Sequence, residues 1–208
     1  MTSPDTLHVA LSDSLVYPRL TALLTLHRQH EPGVRVRLRE ASATELSQGL
    51  EDGTFDVGLS QSAPDSRGLS ATPIWRDALM MGVARRHPLL AHRSIPLELI
   101  ASCAWITLDA HAGAGYRAQI ERLLAAAGVS PSSTIEVKSF DLMMTLVAAG
   151  YGVCLAPAAR VESYHPLGVV GRPLAHEPAE ITTYLLRSKS ASSASADRLA
   201  ERARGIGA

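Results

Sequence analysis

The sequence has no excess of charge of either sign. Its 208 residues include 20 lysines and arginines against 20 aspartates and glutamates. A chain dedicated to nucleic-acid binding normally carries a basic surface that this balance does not provide. The same balance gives no reason to expect an acidic partner or a membrane surface.

Long apolar runs are absent as well. No stretch approaches the roughly 20 apolar residues that a membrane-spanning helix needs. The first ten residues, MTSPDTLHVA, have neither the basic start nor the apolar core of a signal peptide. We therefore expect a protein that resides in the cytoplasm and has no membrane partner.

Cysteine is scarce, with only Cys103 and Cys154 in the chain. Both lie in apolar sequence, ASCAWI and GVCLAP. Two buried thiols in a reducing compartment are the favoured interpretation, and a disulfide is the alternative.

Patterns of catalytic and metal-binding residues are also missing. The chain has no G-x-S-x-G motif, and none of its eight histidines stands at H-x-x-x-H or H-E-x-x-H spacing. The acidic residues are scattered, without a carboxylate pair. The sequence therefore predicts no enzyme, no catalytic residue, no metal site and no cofactor.

What the sequence does contain is an alternation of strands and helices. The segments LHVAL, VRVRLRE and FDVGLS read as strands separated by two helical segments, the second with a capping box at Ser42 and Glu45. A second β-α-β-α-β series, with AWITL, TIEVK and GVCLA as strands, covers about residues 104–156. This order predicts an α/β fold with mostly parallel sheets flanked by helices.

Two further strand-like segments, near residues 76–83 and 180–187, connect the two series. They predict two lobes between which the chain crosses twice. In such folds ligands bind where the carboxyl ends of strands meet helix N-termini.

The segment from Asp109 to Gly128 contains G-x-G-x-x-A at Gly113, Gly115 and Ala118. A dinucleotide site needs its first glycine almost directly after the strand, whereas the residues DAHA intervene here. The motif therefore predicts no nucleotide. Its glycines still free backbone N–H groups at a helix start, which favours an anion.

Polar residues also follow the predicted strands. Ordinary helix capping explains any one of these groups; together on one cleft wall they would offer neutral donors to a small anion, which favours binding over catalysis. The groups are Ser12-Asp13-Ser14, Ser42-Ala43-Thr44, Ser60-Gln61-Ser62, Gly115-Tyr116 and Ser139-Phe140-Asp141.

Four longer segments, in this order and spacing, resemble the effector-binding domain of LysR-type transcriptional regulators over nearly the whole chain. The most specific are a strand running into R-H-P-L and an L-V-A-A-G-x-G-V segment with a proline after the strand. The four are LHVALSDSLVYPRLTALLTLHRQHEPGVRVRLRE, LSQGLEDGTFDVGLS, PIWRDALMMGVARRHPLL and SFDLMMTLVAAGYGVCLAPAAR.

The resemblance implies a two-lobed fold similar to type 2 periplasmic binding proteins. Lobe I would hold residues 1–78 and 182–208, and lobe II residues 79–181. It also implies a small-molecule effector, often an aromatic or dicarboxylic acid, bound between the lobes, and a homodimer or tetramer whose subunit arrangement responds to the effector.

The resemblance further implies which residues contact the effector. The carried-over positions are Ser12, Asp13, Ser14, Ser42, Ala43, Thr44, Gln61, Gly115, Tyr116, Phe140 and Asp141, with Thr183 and Tyr184 on the hinge strand closing the pocket. The rings of Tyr116 and Phe140 would face an aromatic ligand.

Two departures from the family pattern are visible. Only six residues precede LHVAL, so DNA would be bound only through an N-terminal winged helix-turn-helix that this chain lacks, whether it is an excised domain or a stand-alone sensor. No arginine or lysine stands at the carried positions, which argues against a strongly anionic effector. A solute-binding protein of similar fold is the alternative function, and an enzyme on this fold would need a catalytic cluster that the sequence does not show.

Overall fold

A computed structural model describes residues 5–15, 18–64, 66–175, 178–191 and 193–207. Within it the chain forms two compact units, the first comprising residues 1–76 and 182–208 and the second residues 77–181. Strands β4 (Leu69–Ala84) and β9 (Glu180–Ser188) carry the chain from one unit to the other.

Unit 1 is built around β1 (Asp5–Leu11), a strand with neighbours on both sides. It runs parallel to β2 (Val34–Glu40) and to β3 (Val57–Ser60), while β3 pairs antiparallel with β9. The helices of the unit are α1 (Pro18–His30), α2 (Ala43–Glu51) and α6 (Ala194–Gly207).

Alternation along β1 distributes apolar side chains to both faces of this sheet. Leu7, Val9 and Leu11 belong to a core that includes buried residues of α1 and α6, whereas Ala10 packs with Leu46 of α2. Helices therefore cover both faces, as a parallel sheet requires.

The elements of unit 2 are β5 (Ala104–Leu108), α3 (Ala114–Ala126), β6 (Ser133–Val137), α4 (Phe140–Ala148), β7 (Cys154–Pro157), α5 (Ala158–Ser163) and β8 (Val169–Pro173), with 3₁₀ helices at Pro88–Ala91, Leu97–Ser102 and His165–Leu167. Strands β5 and β6 are parallel, and a parallel bridge joins Trp105 of β5 to Val153 just before β7. Strand β4 pairs antiparallel with β7 and β8.

A close approach between strands explains one glycine of unit 2. A Cβ atom at Gly152 would lie 2.4 Å from the carbonyl oxygen of Ala104, so a side chain there would push apart the backbone that leads into β7 and the start of β5. The residue thus does more than end the preceding helix, which is the role that the sequence predicts for it.

The α/β fold class predicted from the sequence is confirmed, and so is the capping box at Ser42 and Glu45. The sequence did not predict β8 or the first residues of β4, so the sheets contain more antiparallel pairing than expected. Cys103 and Cys154 are free thiols, with Cys154 buried and Cys103 half-buried. No helix in the described part of the chain combines the length and apolarity needed to cross a membrane.

Candidate functional site

Three predicted contact residues of unit 1, Ser12, Asp13 and Gln61, lie at the carboxyl ends of β1 and β3. These two strands are parallel neighbours, and the amide of Ser12 extends their ladder by donating to the carbonyl of Leu59 at 3.0 Å. The polar residues that follow the two strands therefore lie at the same edge of the sheet. We call Ser12, Asp13, Ser60 and Gln61 the serine–aspartate cluster.

One carboxylate oxygen, Oδ2 of Asp13, organises this cluster. It lies 2.6 Å from Ser12 Oγ and 3.0 Å from Ser60 Oγ, and it accepts a hydrogen bond from the Gln61 amide at 2.9 Å. The two serine oxygens are 2.8 Å apart. Because all four residues are buried, these bonds are shielded from water and hold the strand ends rigidly.

The backbone turns sharply within the cluster. Asp13 and Ser14 have φ values of 59° and 54°, in the left-handed region that few residues other than glycine adopt. Aspartate tolerates this conformation better than most residues. The turn is therefore held by the hydrogen bonds of the Asp13 side chain, and strain of this kind is frequent at ligand-binding sites.

The start of α2 lies beside the same strand end. A cavity of about 330 Å³ is lined by Ala43 and Thr44 from the first turn of α2 and by Ser60 and Ser62 after β3. Ser42 itself caps the helix, since its Oγ accepts from the Glu45 amide at 3.3 Å and Glu45 Oε2 accepts from the Ser42 amide at 2.8 Å. The structure thus brings Ala43 and Thr44 to the cluster and gives Ser42 the capping role.

The two predicted hinge-strand residues lie on β9. Tyr184 stands opposite Ser60 in the β3–β9 pairing, which places it next to the serine–aspartate cluster. Thr183 is fully buried. In contrast, Ser60, Gln61 and Ser62 do not precede a helix as the sequence suggests, because the chain continues through a loop into β4.

In unit 2, the glycine-rich segment forms a tight connection rather than a binding loop for a nucleotide. Helix α3 begins at Ala114 with Gly113 as its N-cap, and a Cβ atom at Gly113 would lie 2.7 Å from the Leu108 side chain. The glycine is needed because the turn packs directly against the end of β5.

Tyr116 is a correction to the sequence analysis. Its side chain is buried in the core of unit 2, and its hydroxyl donates a hydrogen bond to the carbonyl of Leu155. Burial raises the pKa of Tyr116 well above its usual range, which keeps the hydroxyl protonated as a donor. The ring thus packs inward instead of facing a ligand, and only a backbone contact at Gly115 and Tyr116 remains as a prediction.

The other predicted residues of unit 2, Phe140 and Asp141, begin α4 behind the N-cap Ser139. Phe140 is buried, and the Cζ atom of Arg160 lies over its ring at 3.3 Å from the centroid. Tyr164 contacts the same ring at a centroid distance of 5.8 Å and donates its hydroxyl to Oδ1 of Asp141. We call Phe140, Asp141, Arg160 and Tyr164 the arginine–aromatic cluster.

Sequence analysis missed Arg160 and Tyr164. The two residues are four positions apart at α5 and its C-cap, a spacing that places side chains on one helix face. Their separation from Phe140 in sequence gives no local sign of the contact. Burial, followed by the hydrogen bond to Asp141, raises the pKa of Tyr164, so this hydroxyl also stays protonated.

The described parts of the chain contain no group of three or more histidine, cysteine, aspartate or glutamate residues placed to hold a metal ion. Cys154 does not supply a reactive thiolate either, since burial raises the pKa of its thiol to about 12. Together the two clusters contain hydrogen-bonding groups, aromatic rings and one cation, Arg160.

Comparison with known proteins gives a consistent result. A family model described as the LysR substrate binding domain matches residues 3–206. The chain is 30% identical over 136 residues to the uncharacterised HTH-type transcriptional regulator YnfL of Escherichia coli, covering 65% of this chain and 46% of that protein. It is 24% identical over 156 residues to the HTH-type regulator BenM of Acinetobacter baylyi, covering 74% and 51%. The chain thus spans about half the length of these relatives.

Two solved structures show the likeness in fold. The BenM effector-binding domain with its effector benzoate has a TM-score of 0.86 at 22% identity, covering 97% of this chain and 91% of that one. The effector-binding domain of QuiR in complex with shikimate also has a TM-score of 0.86, at 18% identity, covering 99% and 98%. At these identities the structures establish a shared fold.

Proposed function

Because the chain belongs to the LysR substrate-binding domain family, we propose that it is the effector-sensing part of a LysR-type transcriptional regulator. The match of the family model over residues 3–206 is the observation that carries this proposal. The serine–aspartate cluster adds structural support, since it is a rigid, buried polar group next to a cavity. Effector binding would shift the population of conformations and so the geometry of the assembled regulator.

We propose a small aromatic or dicarboxylic acid as the effector. The BenM and QuiR domains are bound to benzoate and shikimate, both carboxylic acids. The carboxylate of Glu51 also lines the cavity beside α2 and accepts a hydrogen bond from Ser66 Oγ. The donors that this cavity offers are the hydroxyl groups of Thr44, Ser47 and Ser62 and the amide of Gln48. Such donors suit the polar substituents of a ring or the oxygen atoms of an acid.

The predicted lobes, residues 1–78 with 182–208 and residues 79–181, are part of the proposal. The boundaries of the two compact units lie within two residues of them, which supports this division. The expectation that one effector contacts residues of both lobes stays a prediction, and variants in each unit can test it.

The whole regulator would act as a homodimer or tetramer in the cytoplasm and would bind DNA through a winged helix-turn-helix outside this chain. The relatives named above are HTH-type regulators of about twice this length, which supports the proposal. Their names describe transcriptional regulators rather than solute-binding proteins or enzymes, and this favours sensing over the alternative functions.

Isothermal titration of the chain with benzoate, cis,cis-muconate and shikimate tests the proposal. We expect saturable binding of at least one acid, and a loss of affinity of about threefold to tenfold in Thr44→Val, which removes one hydroxyl from the cavity. Thr72→Val is the matched control, because Thr72 lies on β4 and does not line the cavity.

Two results would count against the proposal. If none of the acids binds at millimolar concentration, sensing of this ligand class is wrong. If an acid binds but Thr44→Val and Thr72→Val leave its affinity equally unchanged, the cavity beside α2 has no part in recognition.

A further inference from the structure

Another cavity, in unit 2, is lined by two arginines and a histidine. Its volume is about 240 Å³, and none of the described residues that line it is acidic. It belongs to unit 2, whereas the cavity beside α2 belongs to unit 1, so the two are separate sites. We call it the arginine pocket; its lining residues are Leu90, Ala91, His92, Arg93, Arg172 and Pro173.

The pairing of two chain segments fixes the backbone of the arginine pocket. Ile95 forms a parallel bridge with Leu174, and the amide of Ile95 donates to the carbonyl of Pro173 at 2.9 Å. Ile95 and Leu174 are both buried. Because Arg93 and Arg172 each stand two residues before the bridge, this parallel pairing brings the two arginines to neighbouring positions.

Arg172 is the more firmly held of the two cations. It lies on β8 opposite Met81 of β4 and is half-buried. Within the described residues its guanidinium makes one hydrogen bond, from Nη1 to the carbonyl of Gly171 at 3.2 Å. A guanidinium has five N–H donors, so this bond orients the group and leaves donors for a ligand.

Arg93 and His92 form the exposed side of the arginine pocket. They directly follow the 3₁₀ helix Pro88–Ala91, and the amide of His92 donates to the carbonyl of Leu89 at 3.1 Å. Both side chains are exposed. In the described part of the chain neither side chain has a hydrogen bond or an ion pair, so both are available to a ligand.

The charge of the arginine pocket favours a doubly charged anion. Two guanidinium groups that line one cavity repel each other, and no described carboxylate of the lining compensates them. A monoanion would compensate one of the two groups, whereas a dianion compensates both. An adjoining cavity that shares Pro173 contains the carboxylate of Glu180, so the anion is favoured on the arginine side of Pro173.

The size of the arginine pocket restricts the ligand further. Cavities for drug-sized ligands measure about 300–1,000 Å³, and this one has about 240 Å³. It is still several times larger than the roughly 30 Å³ that one water molecule occupies. A small oxyanion, or the anionic group of a small organic molecule, therefore fits it.

We propose that the arginine pocket binds a phosphate group, in addition to any effector bound elsewhere in the chain. Arg172 would contact the phosphate from β8 and Arg93 from the exposed side, and the ring of His92 would supply a further N–H donor. The planar guanidinium suits this role because it can donate two parallel hydrogen bonds to phosphate oxygens. Inorganic phosphate and a small phosphate monoester share this chemistry.

Nuclear magnetic resonance titration of the isotope-labelled chain tests the proposal. Inorganic phosphate, glycerol 3-phosphate and acetate are added separately at about pH 7.5, where a phosphate group is mostly doubly charged, and sodium chloride keeps the ionic strength constant. We expect saturable shifts with a Kd of about 1 mM for the phosphates, centred on the amides of residues 90–93 and 171–172. Acetate should bind at least about fivefold more weakly, because it compensates only one guanidinium.

The two phosphates distinguish the sources of the group. Tighter binding of glycerol 3-phosphate than of inorganic phosphate would identify the ligand as a phosphate monoester. Equal or weaker binding would identify it as free phosphate. Either result supports a phosphate site in the arginine pocket.

Three variants locate the binding. Arg172→Gln and Arg93→Gln each remove one cation and should weaken phosphate binding about fivefold. Arg122→Gln is the matched control, since Arg122 is an exposed arginine of α3 in the same unit and does not line the pocket; its effect should stay below about twofold. Circular dichroism monitors folding, and if Arg172→Gln fails to fold, the exposed Arg93→Gln decides.

Three results would overturn the inference. Shifts with phosphate no larger than those with sodium chloride alone would mean that the pocket binds no phosphate. Equal affinity for acetate would contradict selection of a dianion, and an equal loss in Arg122→Gln would mean that phosphate responds only to the net charge of the chain. None of these results bears on the proposed function, because the cavity beside α2 lies in unit 1.

Discussion

The serine–aspartate cluster of unit 1 and the arginine–aromatic cluster of unit 2 are built on different physical principles. In the first, buried hydroxyl and amide groups close their hydrogen bonds on a single carboxylate oxygen of Asp13. In the second, a partly exposed cation stacks on a buried ring and a carboxylate lies at the exposed rim. The difference indicates that hydrogen bonds fix the backbone of the first cluster, whereas packing of aromatic rings fixes the cation of the second.

The largest effect is expected from Asp13→Ala. The substitution removes the acceptor of three buried groups, Ser12 Oγ, Ser60 Oγ and the Gln61 amide. We expect the free energy of unfolding to fall by about 3 kcal/mol, because the Gln61 amide and one of the two serine hydroxyls lose this acceptor and bear the desolvation cost, while the other serine hydroxyl can donate to its neighbour. Urea denaturation followed by circular dichroism measures this change.

Asp141→Ala is the corresponding variant in unit 2. It tests whether the two clusters differ in what their carboxylates contribute to the free energy of unfolding. Asp141 is exposed and accepts one side-chain hydrogen bond, from Tyr164, so its loss should cost less than about 1 kcal/mol. Asp13→Asn keeps an acceptor oxygen and tolerates the left-handed turn, and it should fall between these two. Equal losses for Asp13→Ala and Asp141→Ala would show that the buried hydrogen bonds of Asp13 stabilise the fold no more than the single hydrogen bond of Asp141.

The same contrast explains what the sequence could predict. Ser12, Asp13 and Gln61 directly follow apolar strands, and parallel neighbouring strands end at the same edge, so alternation and order suffice to bring them together. The capping box of Ser42 and Glu45 is equally local. These features depend on a few residues of sequence and one rule of topology.

Arg160 and Tyr116 depend on tertiary packing, and here sequence analysis failed. Arg160 meets Phe140 through the packing of unit 2, with no periodic pattern joining them. For Tyr116 a signal did exist. It lies four residues before Ile120 and eight before Leu124, on the buried face of α3, and this spacing predicts a core residue more strongly than the nearby glycines predict a ligand contact.

A smaller effect on stability is expected from His27 in unit 1, a buried side chain with fewer hydrogen bonds than the residues of the serine–aspartate cluster. His27 of α1 is 1% exposed; its Nδ1 lies 3.2 Å from Arg202 of α6, and its Nε2 has no hydrogen-bond partner among the described residues. Burial, and then the charge of Arg202, lower the pKa of His27 below its ordinary value; Arg198 acts in the same direction and Glu31 opposes it.

The sign of the pH dependence follows from that direction. Below pH 6.5 the unfolded chain takes up a proton on His27 while the folded chain resists it, so stability is complete above pH 6.5 and is lost as the pH falls towards the lowered value. We expect the urea midpoint of the wild-type chain to decrease from pH 7.5 to pH 5.0. His27→Gln should flatten this decrease, and an unchanged slope in the variant would assign it to other groups.

The smallest effect is expected from Tyr164→Phe, which removes the hydroxyl that donates to Asp141 and is also hydrogen-bonded to Arg160. Because the side chain is half-buried and its ring contact with Phe140 remains, the free energy of unfolding should fall by about 0.5 kcal/mol. The raised pKa of Tyr164 keeps the wild-type hydroxyl protonated, so this difference should be the same at pH 7 and pH 9. A loss as large as that of Asp13→Ala would show that the two clusters contribute to stability in the same way.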